Sequence, residues 1–169
     1  MQERVEFSEA LKTKYPEPVA YAVAKDEHGK ANPITLGWFM QTSGDPAMFA
    51  IAVATTRYSV KTIRHSKCFT LVFPAGDEHD EALFFGTKSG RQVDKVGEMK
   101  VATSPASMID SVVFDDAVAN FECELAGEKL TGDHIIFIGR VVASHVNTEK
   151  VNRLYTVAPG WKMGPVEIE

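Results

Sequence analysis

The sequence predicts a mainly β protein, an antiparallel β-barrel carrying a few short helices. Three observations support this. Apolar runs of strand length follow one another in the first third, separated by tight turn signals. Two-residue alternation returns in the last third and ends at a hairpin signal. Neither the strand–helix–strand alternation of a parallel doubly wound sheet nor its G-x-G-x-x-G fingerprint occurs.

Taken in order, Pro18 opens an apolar run at 19–24 that ends in Asp26-Glu27-His28-Gly29-Lys30, where glycine supplies the turn. Residues 31–42 read as one half-buried strand, with Ile34, Leu36, Trp38 and Met40 at period two. Ser43-Gly44-Asp45-Pro46 is a turn signal, and 48–54 a fully apolar strand. Three strands joined this tightly form an antiparallel meander. The period then changes: Val60 and Ile63 recur at helical spacing over 59–66, with Ser59 as N-cap. Strand character returns at 69–73 and stops at Pro74, and 78–87 reads as a helix with acids in its first turn. Further on, Phe121, Cys123 and Leu125 alternate with Asn120, Glu122 and Glu124, predicting one buried and one solvated face. Thr131-Gly132-Asp133 makes a hairpin turn into a long β-branched strand at 134–146. The count is roughly eight strands with two or three short helices.

The 169 residues are 44% hydrophobic and 24% charged, with a net charge of −5. This fits one domain that needs no disulfide or metal staple, and it excludes dominant disorder. No apolar run approaches the ~20 residues of a membrane helix, and Arg140 interrupts the best one, at 135–146. The opening MQERVEFSEALK lacks the apolar core of a secretory signal, so a cytoplasmic location is expected. Cys68 and Cys123 are then expected to be free buried thiols, and no Cys/His cluster has zinc spacing. The acidic balance, with no basic run, makes nucleic acid a poor partner.

Candidate chemistry falls in four places. Thr55-Thr56-Arg57-Tyr58-Ser59 gathers hydroxyls, a guanidinium and helix N–H groups, the physics of a phosphate site; a plain N-cap beside a solvated arginine is the alternative. Lys88-Ser89-Gly90-Arg91, with Asp94 and Lys95 following, adds a glycine that admits an anion to the backbone and the donors Ser89, Arg91 and Lys95; a surface loop is the alternative. Two such loops in an acidic chain point to a phosphorylated ligand held in clefts. Residues 32–38 set Thr35 and Gly37 among apolar neighbours, where backbone can lie along a flat ligand, or where a core strand shows one threonine. His134, directly after Gly132-Asp133, is either a ligand donor or an exposed turn histidine. His28, His65, His79 and His145 lack metal spacing and read as surface. No G-x-S-x-G elbow occurs, neither cysteine has charged surroundings, and the acids at Asp77, Glu78, Asp80, Glu81, Asp115 and Asp116 read as solvated. No catalytic nucleophile or metal ligand is assigned.

In order, the stretches PEPVAYAVAKDEHGKANPITLGWFMQTSGDPAMFAIAV, TTRYSVKTI, FFGTKSGRQVDKVG and LTGDHIIFIGRVVASHV resemble the flavin reductase-like family, FMN-binding split β-barrels that include the flavoredoxins. The resemblance covers roughly residues 16–147 of a single domain 1–169; the tail at 148–169 has no match, and Asp45-Pro46-Ala47 stands where the family often shows Asp-Pro-Pro. It implies a six-stranded antiparallel split barrel, usually a homodimer, with non-covalent FMN near the subunit interface and FAD as the alternative flavin. The implied activity is an NAD(P)H-dependent flavin reductase passing hydride from NADH or NADPH to flavin. The alternative is a flavoredoxin-like electron carrier docking to a partner protein. By the same resemblance, Asn32, Ile34, Thr35, Leu36 and Trp38 line the isoalloxazine, while Thr55, Thr56, Arg57 and Ser59 meet phosphate and ribityl. Ser89, Gly90 and Lys95 close on the same cofactor, and His134 lies by the nicotinamide. The Trp38-Phe39-Met40 cluster and the tail are the features available for a dimer contact.

Overall fold

The computed structural model describes residues 1–150 and 152–166. A short helix α1 (Phe7–Ala10) and a 3-10 turn (Leu11–Lys14) lead into β1 (Glu17–Pro18), β2 (Ala20–Lys25), β3 (Ala31–Leu36), β4 (Phe39–Gly44) and β5 (Ala47–Ala54). Then come α2 (Tyr58–Ser66), β6 (Cys68–Phe73), α3 (His79–Thr87), α4 (Lys95–Met99), β7 (Thr103–Pro105) and β8 (Val112–Phe114). Two long strands, β9 (Ala119–Thr131) and β10 (His134–Val146), precede a hairpin of β11 (Leu154–Ala158) and β12 (Lys162–Pro165).

The main sheet runs β3-β2-β6-β9-β10-β5-β4, every pair antiparallel. It has seven strands rather than six, because the single strand expected over 31–42 is two. β3 pairs with β2 at one edge and β4 with β5 at the other, although only Gly37 and Trp38 separate them in the chain. In a flat sheet, six interstrand steps of about 4.8 Å would part those edges by roughly 29 Å. Two linking residues reach only about 11 Å across three Cα steps. The sheet therefore rolls into a barrel, and a bond from Ala52 N–H to the Trp38 carbonyl (2.9 Å) pins the crossing. No ladder joins β3 to β4 among the described residues, so the barrel is split at that seam.

Inside, alternation brings Ile34, Leu36, Ile51, Val53, Phe69, Leu71, Cys123, Ile135 and Phe137 into one buried cluster. On the outer face of β2 and β6, Tyr21, Val23 and Val72 pack under Phe85 of α3, Phe114 of β8 and Leu154 of β11. β2 reads as a continuous apolar run because both its faces are covered. The same covering buries residues that the sequence placed in solvent. Glu122 on β9 is fully buried beneath the Ser107-Met108 backbone, and Asn120 exchanges hydrogen bonds with the backbone of Phe114. Glu78, expected as a solvated helix-start acid, is buried and accepts from Ala75 N–H (2.9 Å). Cys68 and Cys123 are free and buried, and burial pushes the Cys123 thiol up to about 12. No helix among the described residues is long and apolar enough to cross a membrane.

Close packing of the barrel wall gives a direct test. A Cβ at Gly139 would stand 2.5 Å from Phe69 Cζ and 2.7 Å from Cys123 Cβ, both in the core. Gly139→Ala should lower stability by about 2 kcal/mol through overpacking, seen as a reduced urea midpoint at unchanged m-value.

Candidate functional site

Two joined cavities lie along the split. The larger, about 370 Å³, is walled by residues 34–38, Ala52 and Ala54 of β5, Arg57 and His134. The smaller, about 120 Å³, opens beside it and shares Ile34 and Arg57. It is lined by the start of α2, by the loop after α3 and by Lys95, with no acidic residue in its lining.

Local structure explains the smaller cavity. After β5 the chain turns through Arg57 N–H to the Ala54 carbonyl (2.9 Å), which sets the N-terminus of α2 against it. Arg57, not Ser59, occupies the N-cap position, and no side chain caps the helix. Ser59 lies inside the helix, buried, and its hydroxyl accepts from Asn32 Nδ2 (3.0 Å). That leaves Asn32 Oδ1 a buried acceptor without a partner. A Cβ at Gly90 would land on this oxygen, so only glycine lets the 88–91 loop lie against Asn32. Lys95 is 3% exposed and donates to the carbonyls of Pro33 (2.7 Å) and Phe85 (2.8 Å). Burial, reinforced by the nearby charge of Arg57, pulls its ammonium down to about 8.

The larger cavity is mixed, with Ile34, Leu36, Trp38, Ala52 and Ala54 on its apolar walls and Lys14, Glu17, Arg57 and His134 among its polar ones. His134 opens β10, its Nδ1 2.7 Å from Asp133 Oδ1 and its ring 4.6 Å from that of half-exposed Trp38. Thr55 N–H bonds the Asp133 carbonyl (2.9 Å), tying the post-β5 loop to this hairpin. The Thr35 hydroxyl is turned to the Ala82 carbonyl of α3 (2.6 Å).

The candidates from the sequence therefore converge. Ile34, Thr35, Leu36, Trp38 and His134 line the larger cavity; Asn32, Ile34, Thr56, Arg57, Ser59, Ser89, Gly90 and Lys95 line the smaller. Thr55 borders neither, and Arg91 faces a neighbouring cleft. Sequence reasoning missed the outer walls. Lys14, Tyr15 and Glu17 come from the N-terminal segment; Thr156, Gly160, Trp161 and Met163 come from the β11–β12 hairpin. β11 pairs with both β1 and β12, and Pro159-Gly160, between LYTVA and KMGP, was the available turn signal.

An uncharged buried acceptor, a glycine cradle and a cationic, acid-free pocket adjoining a slot walled by residues 34–38 suit a planar ring bearing a phosphate tail. Residues 12–158 match the family described as the flavin reductase like domain. The chain belongs to the flavin reductase-like family. Among curated relatives, this flavin reductase-like chain is 30% identical over 123 residues to an uncharacterized protein of Pyrococcus abyssi, covering 73% of this chain and 70% of that one. It is 25% identical to the NADH-dependent FMN reductase of Streptomyces nodosus subsp. asukaensis, covering 84% and 75%. The matches span 70%, 64% and 49% of the first three curated relatives' own lengths. Among solved structures, a flavoredoxin from Methanosarcina acetivorans superposes with a TM-score of 0.87 at 20% identity, over 100% of this chain and 93% of that one. That likeness establishes the shared fold.

Proposed function

We propose that this flavin reductase-like protein binds FMN and uses NADH or NADPH to reduce flavin, as a homodimer in the cytoplasm. The observation that carries the reading is the adjacency of the two cavities: an acid-free cationic pocket of phosphate size shares Ile34 and Arg57 with a larger slot walled by residues 34–38 and by Ala52 and Ala54. Arg57, Ser59, Ser89 and Lys95 would hold the phosphate, with Asn32 Oδ1 taking a hydroxyl of the tail. Residues 34–38 would line the ring. Bound flavin supplies the hydride and electron transfer; the protein supplies binding, orientation and exclusion of water. His134, steadied by Asp133 and by the Trp38 ring, orients the nicotinamide without serving as an essential acid. The β11–β12 hairpin and residues 14–17 screen the slot from solvent. Exposed Trp38 and Met40 border an apolar groove on the outer face of β4 and β5, the surface for a second subunit.

The nicotinamide reading gains weight from the NADH-dependent FMN reductase among the relatives. Anaerobic titration of the FMN-loaded protein with NADH and with NADPH tests it: bleaching of the flavin absorbance at catalytic rates is expected. No reduction by either nucleotide overturns the reductase reading and leaves the flavoredoxin-like electron carrier, which the flavoredoxin fold neighbour favours.

Lys95 links this binding to pH. A native lysine near 8 binds fewer protons than an unfolded one at 10.5, so its contribution to stability rises with pH across that window. A phosphate dianion beside it restores the charged form. FMN binding at about pH 9 should therefore take up close to one proton, measured by calorimetry in two buffers of different ionisation enthalpy. In Lys95→Met the uptake should vanish.

A further inference from the structure

We infer that the ion pair of Lys14 and Glu17, on the wall of the larger cavity, recognises the carboxamide of the nicotinamide donor. Glu17 accepts from the amide NH₂ and Lys14 donates to the amide carbonyl. The inference rests on the reductase reading above and adds two residues of this chain to it.

The N-terminal segment brings the pair to the slot. The 3-10 turn ends at Lys14 and β1 opens at Glu17. Lys14 Nζ lies 2.6 Å from Glu17 Oε2, with only 26% and 18% of the two side chains exposed. β1 sets Glu17 opposite Thr156 of β11, another residue of the cavity wall. Behind the carboxylate is Gly37: a Cβ there would stand 3.0 Å from Glu17 Cδ and Oε2, so glycine lets the carboxylate lie against the crossing from β3 to β4. The next residue, Trp38, carries the ring that lies 4.6 Å from that of His134. Glu17 and His134 therefore meet neighbouring points of one wall, about 3.8 Å apart along the backbone.

A partly buried ion pair contributes little net stability, because desolvation offsets the attraction. This one keeps hydrogen-bonding capacity in reserve at a ligand slot. The pair engages Oε2, and Oε1 takes part in no ion pair among the described residues. An ammonium has three N–H donors, and one suffices for Glu17. The two charges cancel, so the group they suit is neutral. A primary carboxamide carries an N–H donor and a carbonyl acceptor on one carbon, the complement of a carboxylate beside an ammonium. The polar edge of a flavin fits less well: its N–H lies between two carbonyl oxygens, and a carboxylate aimed at it would meet acceptors on both sides.

Anaerobic stopped-flow reduction of the FMN-loaded full chain tests the inference, using NADH, NADPH and their reduced 3-acetylpyridine analogues. The concentration dependence gives a donor Kd separately from the reduction rate. The analogues replace the carboxamide NH₂ with a methyl group and keep the carbonyl. In wild type the analogue should bind about tenfold more weakly than its parent, through loss of one hydrogen bond to a charged acceptor. In Glu17→Ala that ratio should fall to about twofold or less, while the FMN Kd, from fluorescence titration, changes less than about twofold. A urea midpoint verifies that the variant folds, and the wild-type comparison stands whether or not it does. An analogue bound as tightly as its parent by wild type, a tenfold ratio kept in folded Glu17→Ala, or a loss of FMN affinity equal to the loss of donor affinity overturns the inference. Failure of both nucleotides to reduce the wild-type flavin overturns the reductase reading itself, and this inference with it.

Discussion

Gly90→Ala is expected to weaken FMN binding by about a hundredfold, roughly 2.7 kcal/mol, while the protein remains folded. The new Cβ would fall on Asn32 Oδ1, and neither side yields readily. Asn32 is buried, with Nδ2 held by Ser59 in the first turn of α2, and the Gly90 carbonyl is held by Lys30 Nζ. Relief requires either displacing Asn32, which drags on Ser59, or lifting the 88–91 loop, which moves Ser89. Each response disturbs groups that line the small cavity. A misplaced donor set loses affinity far out of proportion to the one methyl group added. Gly44→Ala is the control, because a Cβ there meets nothing within 4 Å and Gly44 lines neither cavity. Titration of FMN fluorescence with each variant measures the effect. A Gly90→Ala affinity within about threefold of wild type would show that Asn32 and the loop are not rigidly coupled.

The residues behind this expectation were visible in the sequence, though their coupling was not. Hydroxyls, an arginine and a helix start within 55–59, and a glycine among donors at 88–95, are local patterns, so their chemistry can be read without a fold. The bond between Asn32 and Ser59 spans 27 residues and depends on β3 crossing the start of α2. Nothing local distinguishes a Ser59 that caps the helix from one that accepts a hydrogen bond inside it. The strand at 31–42 failed for a related reason. Period two runs through Ile34, Leu36, Trp38 and Met40 without a break, because side chains keep alternating even where the strand leaves one sheet edge for the other. Only the pairing partners, Ala20–Lys25 on one side and Ala47–Ala54 on the other, reveal the seam. The C-terminal hairpin was illegible because its strands are short and are stabilised by pairing with Glu17–Pro18, more than 130 residues away. Burial of Glu122 was likewise a tertiary fact: its carboxylate enters the interior because the backbone N–H groups of Ser107 and Met108, 15 and 14 residues away in the chain, meet it.

Glu122 carries the second large effect. Its carboxylate accepts from Ser107 N–H (2.8 Å), Ser107 Oγ (2.8 Å), Met108 N–H (2.6 Å) and His145 Nε2 (2.7 Å) while fully buried. Burial alone would push the acid up; the hydrogen bonds from Ser107, His145 and Met108 outweigh it and hold the carboxyl at about 2. Against the ordinary 4.5, this corresponds to about 3 kcal/mol of stability at neutral pH. Because the native value is the lower one, that stability is fully present above about pH 5 and is lost as the pH falls through 4.5 towards 2. Glu122→Gln keeps the shape but removes the charge and turns an NH₂ towards groups that themselves donate. The variant should lose about 3 kcal/mol at pH 7. Its stability should also lack the part of the acid-dependent fall that belongs to this carboxyl, so that urea midpoints of the two proteins converge as the pH approaches about 2. Parallel midpoint curves across that range would mean that the Ser107-Met108 loop is held by its other contacts, the Thr70–Ser111–Val23 hydrogen-bond chain first among them.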